Sequence, residues 1–185
     1  MEVFMEALEC IKTRRSVRKF TDELVPEEVI RDIVQSAAYS PSWKNTQTVR
    51  YISVSDEAVI NKIAEEGVLG FEHNKKTLSR AHQLMVITQK NGICGYERDG
   101  SFSTNKGTGW EMFDAGIATQ TFCLAAHDKG VGTVILGIFD DAKVGEIVNV
   151  PEGQTVAALV VFGYPVFEPD MPPRKSVDEL LTIYN

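Results

Sequence analysis

Cysteine and histidine are scarce in this sequence, with three of each. Cys10, Cys94 and Cys123 lie too far apart for a Cys-x-x-Cys redox or zinc motif, and His73, His82 and His127 lack metal-site spacing. No metal site is expected, and free thiols of this kind suit a reducing, cytoplasmic compartment. There is no apolar run of about 18 residues to span a membrane. The opening Met1-Glu2-Val3-Phe4 is acidic, unlike a signal peptide. Positive charge is also short: 19 Lys and Arg against 26 Asp and Glu leave a net charge of −7. Nucleic acids and anionic membranes are held by basic groups neutralising phosphates, so neither is an expected partner. No Gly-x-Gly-x-x-Gly follows a strand pattern, and there is neither a P-loop nor a Gly-x-Ser-x-Gly elbow.

What remains is an ordinary globular composition over 185 residues, long enough to bury a core without disulfides or metal. No repeat or composition break divides it, so residues 1–185 are expected to form one domain. Val3, Phe4, Ala7, Leu8 and Ile11 predict an opening amphipathic helix. Pro26 occupies the place of a first helical residue, followed by the stripe Val29, Ile30, Ile33, Val34, Ala37 and Ala38. Ser40-Pro41-Ser42 ends that helix. Val49 to Val54 reads as a strand, Glu57 to Glu66 as a helix and Leu84 to Thr88 as a buried strand. Lys90 to Thr108, rich in Gly, Asn, Ser and Thr, reads as a long excursion. Trp110 to Lys129 predicts a helix apolar almost all round, suited to a domain centre or a subunit interface. Strands at Gly132 to Ile138 and Thr155 to Phe162 follow, with a short helix near Lys143 to Val148. The tail carries Pro169, Pro172 and Pro173, then Val177, Leu180, Leu181 and Ile183, as if to reach a partner subunit. This order favours an α+β fold, one sheet packed with helices.

Three stretches could carry chemistry. In Lys12 to Lys19 five basic residues fall within eight positions. If extended, Arg14, Ser16 and Arg18 project from one side, which suits a phosphate or an acceptor-rich heterocycle. A solvated basic turn would have the same composition. Ser40 to Gln47 offers hydroxyls and amides to uncharged polar atoms, or is simply a polar loop. In Gly130 to Phe139, Gly137 would let a flat ligand approach the backbone, or would serve a turn into a core strand. Asp114 is open to two readings, a general base or a stabilising charge near a helix start.

Taken in order, these stretches resemble the nitroreductase family of FMN-dependent NAD(P)H oxidoreductases. The likeness lies in Arg14-Arg15-Ser16 with Arg18, in Ser40 to Gln47, in Asp114 to Ala126 leading to Gly130-Val131-Gly132-Thr133, and in Gly163-Tyr164-Pro165 with Arg174. The resemblance implies a central, mostly antiparallel sheet flanked by helices. It also implies an obligate homodimer whose C-terminal arm reaches the partner, with two FMN sites at the interface. Arg14 and Arg174 would hold the phosphate, supported by Arg15 and Ser16. Arg18 would lie beside the ring where negative charge develops, and the Gly137 amide would meet the reacting edge; these two are the catalytic positions implied. Ile135, Leu136 and Gly137 would form a wall, Asn74 would contact the ring, and Pro41, Ser42, Trp43 and Asn45 would come from the partner. The implied reaction passes hydride from NADH or NADPH through the flavin to a small electron-poor acceptor such as a nitroaromatic or quinone. A flavin-binding sensor or carrier, or a specialised reductase acting on azo, enone or halogenated compounds, would share the same motifs. The chain departs from the family pattern at Thr48-Val49 and at Trp43, whose bulk is expected to narrow the site, and its helical lid is expected to be reduced.

Overall fold

The computed structural model describes residues 6–185. Four strands, β1 (Val49–Val54), β2 (Leu84–Lys90), β3 (Gly132–Leu136) and β4 (Gln154–Gly163), form one sheet in the order β1-β2-β4-β3. Every neighbouring pair is antiparallel. Around it lie α1 (Ala7–Thr13), α2 (Glu27–Ala37), α3 (Glu57–Lys62), α4 (Glu72–Leu78), α5 (Gly109–Asp128), α6 (Asp141–Ile147) and the short α7 (Val177–Leu180). The fold is α+β, as the order of elements predicts. No helix among the described residues is long and apolar enough to cross a membrane.

Both faces of the sheet are covered, which explains why β2 and β4 read as unbroken apolar runs rather than as alternating ones. Leu84 and Val86 of β2, with Leu159 and Val161 of β4, pack against Ile60, Ile63, Leu78 and Val144. Their neighbours Met85, Ile87, Val160 and Phe162 point the other way, onto Ile33 and Ala37 of α2 and Phe122, Cys123 and Ala126 of α5. Phe122 stands edge-on to Phe162 at 6.3 Å between ring centres. All three cysteines are buried and unpaired.

Several boundaries differ from the expected ones. Val3 and Phe4 lie outside the described residues, so only the Ala7–Thr13 part of the opening helix is defined. Pro26 is the cap before α2, not its first residue: it is extended, and its carbonyl accepts from Ile30 N at 3.1 Å. The helix after Glu57 changes to a π-helical turn at Ile63–Gly67. Strand β3 ends at Leu136, which leaves Gly137 and Ile138 beyond the ladder. Helix α5 is not apolar all round in its setting. Its inward face carries two carboxylates, Glu111 and Asp114, while Met112 and Phe113 are exposed.

Residues 16–21 strap the open end of the sheet. Ser16 bridges Thr133 in parallel sense, and Val17 N donates to Thr133 O at 2.9 Å. Further on, Phe20 pairs with Pro165 and Thr21 N donates to Tyr164 O at 2.9 Å. Val17 and Phe20 turn inward and cover Gly132 and Gly163. A Cβ at Gly132 would lie 2.8 Å from Val17 Cγ2 and 2.9 Å from its Cβ, atoms fixed close to a bridged backbone. Gly132→Ala should therefore cost roughly 1–3 kcal/mol in chemical denaturation by forcing the strap off β3.

Candidate functional site

The strap carries the basic segment, and its alternation decides what faces outward. Val17 is buried, Arg14 and Ser16 are half-buried, and Arg18 is exposed. Arg15 Nη1 donates to the carbonyls of Lys12 (2.7 Å) and Arg14 (2.9 Å), which holds this guanidinium against its own backbone. Arg18 Nη1 reaches Ser16 O at 3.3 Å. A cleft of about 160 Å³ lies here, lined by Arg14, Arg15, His127, Thr133, Glu168 and Pro169. The start of the C-terminal tail thus meets the basic segment, while Arg174, further along, is exposed.

Helix α5 closes that cleft with His127 in its last turn. Thr13 Oγ1 donates to Glu9 O at 2.8 Å, so it accepts from His127 Nε2, also at 2.8 Å. The titrating nitrogen is then Nδ1. Burial, then the Arg14 and Arg15 cations, push His127 below its ordinary pKa of 6.5, against an opposing pull from Glu168 and Asp128.

Just beyond β3 the backbone is open. Ile135 and Ile138 are exposed, and a Cβ at Gly137 would meet nothing within 4 Å. Neither packing nor a left-handed φ calls for glycine there, so the fold itself gives no reason for it. Asn74, nearly buried, donates from Nδ2 to Ile138 O at 2.9 Å. It holds the Ile135–Ile138 segment from behind.

The Ser40–Gln47 loop is elsewhere. It sits where α2 ends, and a cavity of about 230 Å³ is lined by Ser40, Pro41, Ser42, Gln47 and Asp114. Trp43 N donates to Asp114 Oδ2 at 2.8 Å, and its ring tilts onto Trp110 at 4.8 Å between centres. The loop and the basic segment therefore touch opposite ends of α5. Asp114 and His127 are thirteen residues apart, about 20 Å at 1.5 Å per residue. One chain does not bring the two sets of predicted site residues together.

Asp114 lies past the first turn of α5, so it is not a charge at the helix start. It is 3% exposed and accepts from Trp43 N and from Cys94 Sγ (3.1 Å), so it is a buried acceptor inside the helix. Glu111, one turn earlier, takes Gly92 N at 2.7 Å. The 91–108 excursion is thus fastened at its start to α5, and it contains no helix. Its Glu97 pairs with Lys44 at 3.2 Å. Sequence reasoning missed these ties because their donors lie far from α5 along the chain.

The sequence pattern of the Nitroreductase family matches residues 11–164. The chain belongs to this nitroreductase family. A Methanothermobacter thermautotrophicus protein, provisionally named NADH dehydrogenase/NAD(P)H nitroreductase, is 31% identical over 169 residues, covering 89% of this chain and 80% of its own. The NADPH-flavin oxidoreductase of Vibrio harveyi is 27% identical over 172 residues, 90% of this chain and 69% of its own. A nitroreductase family protein from Streptococcus pneumoniae TIGR4 shares the fold, with a TM-score of 0.83, 20% identity, and coverage of 97% of this chain and 100% of that one. The nitroreductase match spans the strap, the Ser40 loop, α5 and the end of β4, and stops before the tail with Arg174.

His127 supplies a pH test. Its folded pKa lies below the ordinary value, so the stabilising contribution is full above pH 6.5 and is lost as pH falls through the depressed value. His127→Gln keeps a donor for Thr13 without the titration. Chemical denaturation of the ligand-free protein should show the wild type losing stability relative to this variant as pH falls below 6.5.

Proposed function

We propose that two copies of this chain form an FMN-dependent NAD(P)H oxidoreductase that reduces small electron-poor acceptors such as nitroaromatics or quinones. The observation that carries this reading is the separation of the site along α5. The cationic Arg14–Arg15 part of the strap lies at one end, and the polar Ser40–Gln47 loop lies about 20 Å away at the other. A second copy can bring its loop to the first copy's strap, and two equivalent sites follow from a two-fold axis. The exposed Met112 and Phe113 on the outer face of α5, and the apolar tail at Val177, Leu180 and Ile183, are the surfaces such a dimer would cover.

The residues suit FMN. Arg14, with Arg174 from the tail, offers guanidinium groups to the phosphate, and Arg15 and Ser16 lie beside them. The exposed Arg18 and the open Ile135–Leu136–Gly137 backbone provide a cation and a flat approach for a ring. Around the loop, Ser40 Oγ, Trp43 Nε1, Thr46 Oγ1 and Thr48 Oγ1 are buried without a partner among the described residues. When bound, FMN would supply the hydride transfer, taking it from NAD(P)H and passing it on at N5. The chain's share is to hold the phosphate at Arg14, to keep a permanent positive charge at Arg18, and to fix the ring wall through Asn74. None of these residues has to move a proton. The family membership and the relatives named for flavin and NAD(P)H chemistry support the same reading.

Purified protein should be yellow, carry about one FMN per chain, and sediment as a dimer with an interface of roughly 2,000 Å² or more. A colourless monomer that takes up no FMN would remove the reading. Arg14→Ala should weaken FMN binding by about 1.5–3 kcal/mol through loss of a charge-assisted phosphate contact. Arg18→Ala should instead lower the flavin midpoint potential, because negative charge gained on reduction loses its neighbouring cation. Equilibrium titration and spectroelectrochemistry on both variants separate the phosphate end from the ring end.

A further inference from the structure

We propose that Asp114 is the positioning residue for the loop that presents Ser42 and Asn45 to the partner's flavin, and that it acts through the Trp43 amide. The inference rests on the flavin reading above and adds a residue to it.

The loop needs an external hold. Lys44 (φ 45°), Asn45 (φ 57°) and Gln47 (φ 49°) all sit in the left-handed region, and none is glycine. Such residues persist only where the surroundings fix them. The hydrogen bonds from Asn45 N to Ser42 O (3.0 Å), from Thr46 N to Trp43 O (2.8 Å) and from Gln47 N to Ser42 Oγ (3.0 Å) shape the turn from within. They do not attach it to the body of the protein.

Three contacts from this turn reach α5 or the excursion. The Lys44–Glu97 pair is exposed and contributes little. The Trp43–Trp110 contact buries area but leaves the backbone free to slide. The bond from Trp43 N to Asp114 Oδ2, at 2.8 Å, grips the backbone in a defined direction from inside the fold, and its carboxyl acceptor is almost fully buried, unlike the exposed Arg50 Nη1 bond to Gln47 O. The same oxygen takes Cys94 Sγ at 3.1 Å. Burial, and then Asp114 itself, push that thiol up to about 12, so it keeps its proton and keeps donating. One carboxylate oxygen therefore sets the loop and the start of the excursion at once. Because that oxygen already accepts from an amide and a thiol, Asp114 positions rather than reacts.

Single substitutions test this, with FMN and riboflavin binding each measured by quenching of flavin fluorescence. Asp114→Ser, too short to reach the amide, should weaken both flavins by the same factor, about tenfold or more. Asp114→Asn, whose carbonyl can accept the same bond, should stay within about threefold of wild type. The equal loss matters because Arg14→Ala should weaken FMN but not riboflavin, which has no phosphate. Cys94 provides a readout that a general loss of stability would not move. Its S–H stretching band in the infrared, assigned by its loss in Cys94→Ala, should move to higher frequency in Asp114→Asn, because a neutral carbonyl accepts the thiol proton more weakly than a carboxylate does. Should Asp114→Ser not fold, Asp114→Glu displaces the acceptor while keeping the charge, and should weaken both flavins alike.

If Ser42→Ala leaves both affinities unchanged, the loop does not serve the flavin and the inference falls with that reading. If Ser42→Ala weakens them but displacing the Asp114 acceptor does not, the loop reading stands and the role of Asp114 is overturned. An unshifted Cys94 S–H band in Asp114→Asn would overturn the shared-oxygen arrangement.

Discussion

A carboxylate placed under a helix must find donors, and Asp114 and Glu111 face inward from α5. Backbone and thiol groups from Trp43, Gly92 and Cys94 meet that demand. The path of two irregular segments is thereby fixed. The Ser40–Gln47 loop is drawn against the first half of α5, and residues 91–108 are tied down at the point where they leave β2. Replacing either acid with an apolar residue would leave amides without partners, so polarity at these positions holds together elements distant in sequence.

The other end of α5 obeys a different constraint. There His127, Thr13 and the Arg14–Arg15 pair meet in a narrow cleft, and burial beside two cations keeps the imidazole neutral. The strap then runs along β3 with Val17 inward, which leaves the arginines and Ser16 on the accessible side. The glycine at 132 makes that approach possible and the glycine at 137 opens the surface beyond it. The helix thus separates a cationic cluster from a polar, hydrogen-bonding loop by its own length.

The α+β layout, the strands and the main helices were legible because buried apolar runs and glycine-marked ends follow from local chemistry. The motif segments were legible for the same reason, as clusters of unusual residues. Less visible was whatever depends on distant partners. The small residues of α5 suggested a helix apolar on every side, and nothing nearby announced that Glu111 and Asp114 would be its buried polar members. Left-handed backbone at Lys44, Asn45 and Gln47 carried no glycine signal. Beyond the end of β3, Asn74 takes the Ile138 carbonyl, a contact between separate elements. The division of predicted site residues between the two ends of α5 is a matter of geometry, which spacing along the chain does not encode.

The strap has a further consequence, which concerns the order in which the molecule is made. Residues 16–21 leave the ribosome well over a hundred residues before their partners Thr133, Tyr164 and Pro165. Until β3 and β4 emerge, Val17 and Phe20 have no glycine surface to cover, and the basic segment has no strand to lie along. The cationic segment can therefore take its place only after β3 and β4 have emerged. Contacts this remote along the chain slow folding. A nascent chain stalled before β4 would display its arginines on an unanchored arm.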